Sequence, residues 1–202
     1  MDKLKDFFLA LLTWIGGSFF RLLIVIILLI VTMFGWVIYT EKDSFMASYR
    51  AQQALPKMNG NYELATEFIF KNSEAELVAI FDVNMLLNTR RIAYIVTRNG
   101  RIKTHDGTDV GLLTSNHANN TDVIALMQGQ TICSSYTKPQ SYIGFTYKNN
   151  GITYMCRIGV PPTPDLFIGQ VSVGWKEKPA DEEIEKTVLT AAASMLYTKK
   201  GF

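Results

Sequence analysis

The chain has few side chains whose types and spacing could do chemistry, and its two cysteines are the first of them. Cys133 and Cys156 fall on two predicted strands, over residues 131–136 and 152–158. In an exported domain the pair could be oxidised, because disulfides persist outside the reducing cytosol. A bond also requires Cα atoms within about 7 Å, and the predicted strands alone do not establish that. A Cys133–Cys156 disulfide and two free buried thiols therefore both remain open.

A polar stretch that begins at His105 and ends at His117 carries the second set of candidate groups. Together with Asp106 and Asp109, the two histidines are of the residue types that ligate metal ions. Side chains in a loop have no fixed mutual geometry, however, and loop histidines are usually solvated. The sequence also lacks the G-x-S-x-G, P-loop, H-E-x-x-H and C-x-x-C motifs. We therefore predict no enzymatic activity, no metal site and no cofactor.

The overall composition excludes several classes of protein. Hydrophobic residues make up 48% of the chain, which excludes a disordered protein. The formal net charge is only +2, so nucleic acid is not a predicted partner. The isolated basic pair Arg90-Arg91 is interpreted as part of a solvated turn.

The dominant element of the sequence is an uncharged apolar stretch from Leu22 to Thr40. As a helix it would measure about 28 Å, close to the thickness of a bilayer's hydrocarbon core. Trp36 and Tyr39 lie at its C-terminal end, where membrane proteins carry an aromatic belt. The stretch is longer than the apolar part of a signal peptide and is followed by bulky residues. We therefore predict an uncleaved transmembrane helix over residues 22–40, rather than a cleaved signal or a buried soluble helix.

The basic residues around this stretch predict its orientation. Lys3, Lys5 and Arg21 precede it, whereas Lys42 follows it between two acidic residues. The positive-inside rule then places the N-terminus in the cytoplasm and the C-terminal part outside, which in a bacterium is the periplasm. The predicted organisation is a cytoplasmic or interfacial segment (1–21), a single membrane span (22–40) and a periplasmic domain (41–202).

The segment before the span has a polar or small residue at every third or fourth position. These positions would form one stripe on a helix, and they are Asp6, Ala10, Thr13, Gly17 and Arg21. The segment could be an amphipathic helix on the inner membrane surface, or a helix that enters the bilayer when partners cover the stripe. A merely hydrophobic tail is equally compatible with the pattern. Glycines at 16 and 17 would permit a bend before the span.

Beyond the span, the pattern predicts an α+β domain in which helices flank an antiparallel sheet, PAS- or Cache-like by analogy. Asn150-Gly151 lies between two alternating runs and predicts a hairpin of strands 142–147 and 152–158. Residues 62–71 fit either a helix or a strand. Further strands are predicted over 77–83, 92–98, 131–136 and 166–175, and a short helix over 121–127. A last helix is predicted to face the sheet with Ile184, Val188, Ala191 and Met195.

Several short motifs follow one another along the chain. They are Asp43-Ser44-Phe45 with Tyr49-Arg50 after the span, Tyr154-x-Cys156 in a late strand, Gly169-x-Val171-Ser172-Val173-x-Trp175 after a loop, and Ala191-Ala192-Ala193 in the last helix. In order and spacing the chain resembles the holins of T-even-type bacteriophages, which have one transmembrane span and a large periplasmic domain. The resemblance covers essentially the whole chain, although residues 100–130 match poorly in detail.

The resemblance implies a timer of host cell lysis. Such holins accumulate in the host inner membrane and then assemble abruptly into lesions, through which a cytoplasmic endolysin escapes. The implied partners are further copies of the chain, membrane lipid, and an antiholin that binds the periplasmic domain. Because one uncharged span cannot line a pore alone, packing between spans would use Thr32 and Gly35. The stripe is a second candidate contact surface.

The sequence departs from the holin pattern at its cysteines. The family has a later cysteine in the last helix, and residues 187–195 contain none here. Cys156 matches the other half of the family's disulfide, so Cys133 is the one intramolecular partner left for it. A different class of function also remains open. The chain could be a membrane-anchored adaptor or envelope assembly protein that acts only by binding other proteins.

Overall fold

A computed structural model describes residues 2–54, 56–139, 141–164 and 166–198 of the chain. Met1, in the predicted segment 1–21, and residues 199–202, in the predicted domain 41–202, lie outside this description. The chain forms two compact units, Met1–Leu55 and Pro56–Phe202.

Residues 2–54 of the first unit form two helices, α1 (Asp2–Gly16) and α2 (Phe19–Ala54). They are separated at Gly17 and Ser18, where a bend was expected from the glycines. The backbone of Ser18 begins α2, since its carbonyl accepts hydrogen bonds from the amides of Arg21 and Leu22. At 36 residues, α2 does not stop at the end of the predicted span but continues to Ala54. Pro56 lies two residues further along the chain, and proline is rarely accommodated inside a helix.

Among the described residues, the second unit contains six strands, four α-helices and one short 3₁₀ turn. In chain order these are α3 (Tyr62–Asn72), β1 (Leu77–Asn84), β2 (Thr89–Thr97), β3 (Gly100–Arg101), the 3₁₀ turn (Lys103–His105), α4 (His117–Met127), β4 (Ile132–Ser135), α5 (Tyr142–Asn149), β5 (Tyr154–Val160), β6 (Gly169–Trp175) and α6 (Glu182–Met195). The strands form one sheet in the order β3-β2-β1-β6-β5-β4, and every neighbouring pair is antiparallel. The predicted α+β class and antiparallel sheet are confirmed.

Helices cover both faces of the sheet. On one face α3 and α6 pack against alternate strand residues such as Val78, Ile158 and Val171. On the other face α4 and α5 cover the remaining strand residues in two smaller apolar clusters. Because β1 is covered on both sides, its first five residues are a continuous apolar run rather than an alternating one. β6 is also buried along its whole length, but it carries the polar residues Gln170 and Ser172 between apolar ones.

The predicted hairpin over 142–158 is wrong, because its first half is helix α5. Ile143 and Tyr147, spaced four apart, are both buried beneath this helix. The dipeptide Asn150-Gly151 ends the helix instead of turning a hairpin. Gly151 has a φ of +73°, and its amide donates to the carbonyl of Lys148. An Asn-Gly pair supplies the left-handed backbone for either role, so the local pattern does not distinguish them.

The predicted inner face of the last helix is also wrong in part. Ile184 is 57% exposed and Ala191 is exposed, while Val188 is buried. The buried positions on α6 are Glu185, Val188, Leu189, Ala192 and Ala193. The helix is therefore rotated relative to the prediction, because alanines are compatible with either face and do not set its register.

Candidate membrane and assembly site

Within the part of the chain that the structure describes, one helix is long and apolar enough to cross a membrane. This stretch of α2 runs from Phe19 to Asp43, 25 residues, and its most apolar window has no residue buried in the structure. It contains the predicted span and extends it at both ends. Leu22, Trp36 and Tyr39, which the sequence placed at the ends of the span, are all exposed.

Thr32 and Gly35 lie three residues apart on α2, and therefore on one side of the helix. The Thr32 hydroxyl donates to the Leu28 carbonyl at 2.7 Å, so it is satisfied within its own helix and does not need a partner in lipid. A Cβ atom placed on Gly35 would meet nothing within 4 Å. This side of the helix thus offers a shallow surface that the backbone of a second helix could approach closely.

Basic residues lie over aromatic rings at both ends of the apolar stretch. The Arg21 guanidinium lies 4.9 Å from the centre of the Trp14 ring and donates to the Trp14 carbonyl at 3.3 Å. At the other end the Lys42 ammonium lies 4.5 Å from the centre of the Tyr39 ring. Long basic side chains next to aromatic rings are typical of the boundary between lipid and water.

The predicted stripe does not lie on one continuous helix. Asp6, Ala10 and Thr13 belong to α1, Gly17 lies in the break, and Arg21 belongs to α2. All five positions are exposed, and the Thr13 hydroxyl donates to the carbonyls of Leu9 and Ala10. The break corrects the expectation of a single five-position surface, because two glycines weaken the helix at that point.

The two cysteines are brought together by strands β4 and β5. Cys133 and Cys156 are direct partners in this antiparallel pair, with Cα atoms 4.1 Å apart, and their sulfurs form a disulfide. Cys156 is fully buried in the core beneath α3 and α6. The bond therefore ties the short edge strand β4 to the interior of the sheet. The register of β4 and β5, which decides between a disulfide and two free thiols, does not follow from the local sequence of either strand.

The polar stretch from 105 to 117 does not bring its histidines together. His105 is nearly buried and its ring nitrogen lies 2.9 Å from the Thr146 hydroxyl, whereas His117 is exposed on the first turn of α4. Asp106 pairs with Arg101, and Asp109 accepts hydrogen bonds from backbone amides. Within the described ranges no group of three or more histidine, cysteine or carboxylate side chains is placed to hold a metal ion.

Sequence analysis missed a cavity of about 70 Å³ between the sheet and helices α4 and α5. Arg90, interpreted there as part of a solvated turn, belongs to strand β2 and lines this cavity, while Arg91 is exposed. Gln170 and Ser172, on β6, line it as well and are 2% and 1% exposed. Two polar residues that alternate with valines in an otherwise apolar strand were the signal for a buried polar site.

Burial governs the ionisation of groups in and near this cavity. It lowers the pKa of the Arg90 guanidinium and raises that of the Tyr147 hydroxyl. Elsewhere in the domain, burial raises the pKa of Tyr62 to about 12, assisted by the neighbouring Asp82 carboxylate. Burial also raises the pKa of Glu185, one of whose oxygens has no hydrogen-bond partner among the described residues.

Comparison with known proteins supports the fold of the second unit and no particular function. No protein-family model matches the sequence, and no curated protein matches it either. Among solved structures, the GAF domain of a two-component sensor histidine kinase from Bacillus halodurans is 15% identical, with a TM-score of 0.50 over 66% of this chain and 86% of that one. A type II free methionine-R-sulfoxide reductase from Thermoplasma acidophilum is 13% identical, with a TM-score of 0.46 over 67% and 85%. At such low identity the first of these likenesses shows only that the second unit is folded like a GAF domain.

Proposed function

We propose that the chain is a holin, anchored by α2 in the inner membrane of a bacterial host, which assembles into lesions that release an endolysin. The observation that carries the proposal is the exposed apolar stretch of α2. Its side chains are not buried in the structure, which supports their being covered by lipid or by further copies of the helix. The open side at Gly35 supports packing between copies. The resemblance of the sequence to T-even holins supplies the specific activity.

The proposed topology has the N-terminus in the cytoplasm and the GAF-like domain in the periplasm. The basic residues before the span support this orientation. The Cys133–Cys156 disulfide supports it independently, because the periplasm is oxidising and the cytoplasm is not. In this arrangement the domain acts without catalysis and is the part that an antiholin would bind.

The test is timed lysis in bacteria that also express a cytoplasmic endolysin. Induction of the intact chain should produce a sudden rise in potassium permeability at a reproducible time, followed by a fall in optical density. Omission of the endolysin should leave the permeability change and remove the lysis. Gradual leakage with no defined onset, or no leakage at all, would contradict the proposal.

A matched pair of variants tests whether copies pack through the open side of α2. Gly35→Leu fills that side without adding charge, whereas Val37→Leu adds bulk on the opposite side of the helix. We expect Gly35→Leu to shift the lysis time strongly and Val37→Leu to leave it nearly unchanged, with equal amounts of both proteins in the membrane fraction. Equal timing of the two variants would count against packing through Gly35.

A second candidate function is that of a membrane-anchored adaptor. Exposed apolar side chains at the turn between β1 and β2 favour it, since Met85, Leu86 and Leu87 are 48%, 72% and 53% exposed. Clustered apolar side chains on a soluble domain often mark a protein contact. An adaptor would cause neither potassium efflux nor endolysin release in the same assay, so that one experiment separates the two candidates.

A further inference from the structure

The cavity of about 70 Å³ lies beneath α4 and α5, on the face of the sheet opposite α3 and α6. One part of its wall is apolar, formed by Phe81, Val110, Leu126 and Ile143. The other part carries polar and charged groups from strands β2, β5 and β6. Among these are Arg90, Arg157, Gln170 and Ser172. A site with an apolar side and a few converging polar groups has the general character of a small-molecule pocket.

Arg90 is the one described cation in this wall that has no carboxylate partner. Its two terminal nitrogens donate to the side-chain oxygens of Gln170, at 3.1 Å, and Asn119, at 2.8 Å, both of them neutral amides. Its Nε is buried and has no hydrogen-bond partner among the described residues. The second cation, Arg157, is already paired with Asp122. The cavity wall therefore carries an excess of one positive charge.

Such a guanidinium, largely shielded from water and with no carboxylate in hydrogen-bond contact, is unfavourable, because it loses hydration and gains hydrogen bonds only to neutral groups. The Phe81 ring, 5.8 Å away, and the more distant carboxylates of Asp122 and Asp109 offset this loss only in part, since burial still lowers the pKa of Arg90. An oxyanion would supply the missing charge, and the guanidinium fork matches the two oxygens of a carboxylate. The excess of a single charge favours a monoanion. The apolar part of the wall favours a ligand with a short hydrocarbon body, which inorganic phosphate does not have.

We propose that this cavity binds a small organic monocarboxylate, with Arg90 as the residue that pairs with the carboxylate group. Gln170 and Asn119 hold the guanidinium in place. The hydrocarbon part of the ligand contacts the apolar side of the wall, formed by Phe81, Val110, Leu126 and Ile143. The proposal does not depend on the membrane activity, because it rests on groups within the second unit alone.

The experiment is calorimetric titration of the full chain in detergent micelles with butyrate, butyramide and inorganic phosphate as separate probes. We expect saturable binding of butyrate at one site per chain. Butyramide, which has nearly the same shape without the charge, should bind at least tenfold more weakly. Saturable binding of phosphate alone, equal binding of butyrate and butyramide, or no saturable binding of any probe would overturn the proposal.

Variants locate the site. Arg90→Gln should weaken butyrate binding at least tenfold, while Arg91→Gln, an equal change of charge at the exposed neighbouring position, should leave it unchanged. Equal affinity of the two variants would refute the assignment to Arg90.

Should Arg90→Gln fail to fold, as judged by its thermal unfolding, the variant Ser141→Phe tests whether butyrate binds in this cavity. Ser141 lines the cavity and makes no capping hydrogen bond, so a larger side chain there should obstruct binding without changing any charge. Unaltered affinity in that folded variant would equally overturn the proposal.

Discussion

Trp36 and Trp175 are the same residue type in two regions with opposite surroundings. Trp36, on α2, is 69% exposed, whereas Trp175, on β6, is 3% exposed and its ring nitrogen donates to the Ser73 hydroxyl at 3.2 Å. In the GAF-like unit, apolar side chains pack against one another in the core. In the helical unit they point outward and are not buried within the structure, so that lipid or other copies of the helix would cover them under the proposed function. The comparison teaches that the second unit buries its own apolar side chains, whereas the apolar stretch of α2 does not.

The largest expected effect comes from a charge placed in the outward-facing helix. Gly35→Asp should delay or abolish lysis, because an ionised side chain in the bilayer is costly and would disrupt packing at the open side of α2. The thermal unfolding of the GAF-like unit should not change. Lysis timing, membrane fractionation and thermal unfolding of the same preparation check both halves of the prediction. Normal lysis timing would show that this side of the helix is not the contact.

The two tryptophans provide the next test. Trp175→Ala should lower the free energy of unfolding of the second unit by about 3–5 kcal/mol, since it removes a large buried ring and leaves a cavity. Trp36→Ala should leave that free energy within about 0.5 kcal/mol of the unaltered protein. Chemical denaturation followed by circular dichroism measures both. Similar losses in the two variants would mean that the units are not energetically separate.

Removal of the disulfide should have a somewhat smaller effect, again confined to the second unit. The paired change Cys133→Ala with Cys156→Ala should cost about 2–4 kcal/mol, because the bond restricts the unfolded chain. A reductant should lower the unfolding midpoint of the unaltered protein towards that of the variant, while the variant itself should not respond. A variant whose midpoint still fell on reduction would show that the reductant acts elsewhere.

The smallest effect is expected at Glu185, which is buried on α6 with one oxygen unpartnered among the described residues. Burial raises the pKa of this carboxyl, so the folded state binds its proton more tightly than the unfolded state does. Ionisation at neutral pH therefore destabilises the fold, and the penalty disappears as the pH falls below the ordinary range of a glutamate. Glu185→Gln should raise the unfolding midpoint by a few degrees at pH 8, as expected for about 1 kcal/mol, and by less near pH 4.

The control for Glu185 is Glu67→Gln, the same change at an exposed position on α3. At each pH in the same range, the unfolding midpoint of this variant should differ little from that of the unaltered protein. A gain at Glu185 that did not shrink on acidification would show that something other than ionisation limits stability there.

Local pattern was sufficient for much of the fold. The long apolar helix was predictable because nineteen consecutive uncharged residues are of the length and composition of a membrane-crossing helix. Strands such as β1 were predictable because their β-branched and aromatic residues favour extended backbone. Helix α5 was not predictable, because the spacing of Ile143 and Tyr147 fits a helix and also fits part of an alternating strand pattern.

The candidate sites also differ in whether local sequence is sufficient to predict them. Thr32 and Gly35 were accessible to sequence analysis because a helix alone determines which residues share a side. The cavity around Arg90 was not, because its wall combines residues from β2, β5, β6, α4 and α5. No short window of sequence contains that arrangement.

By itself the sequence determined the apolar helix, the near-neutral domain that follows it, and the α+β class, because composition and periodicity act over a few neighbouring residues. Only the tertiary structure decided that Cys133 pairs with Cys156, and that the half-buried Arg90 donates to Gln170. Both depend on strand register and on the order of strands in the sheet. That order joins residues far apart in the chain, and it is determined by the packing of the whole domain.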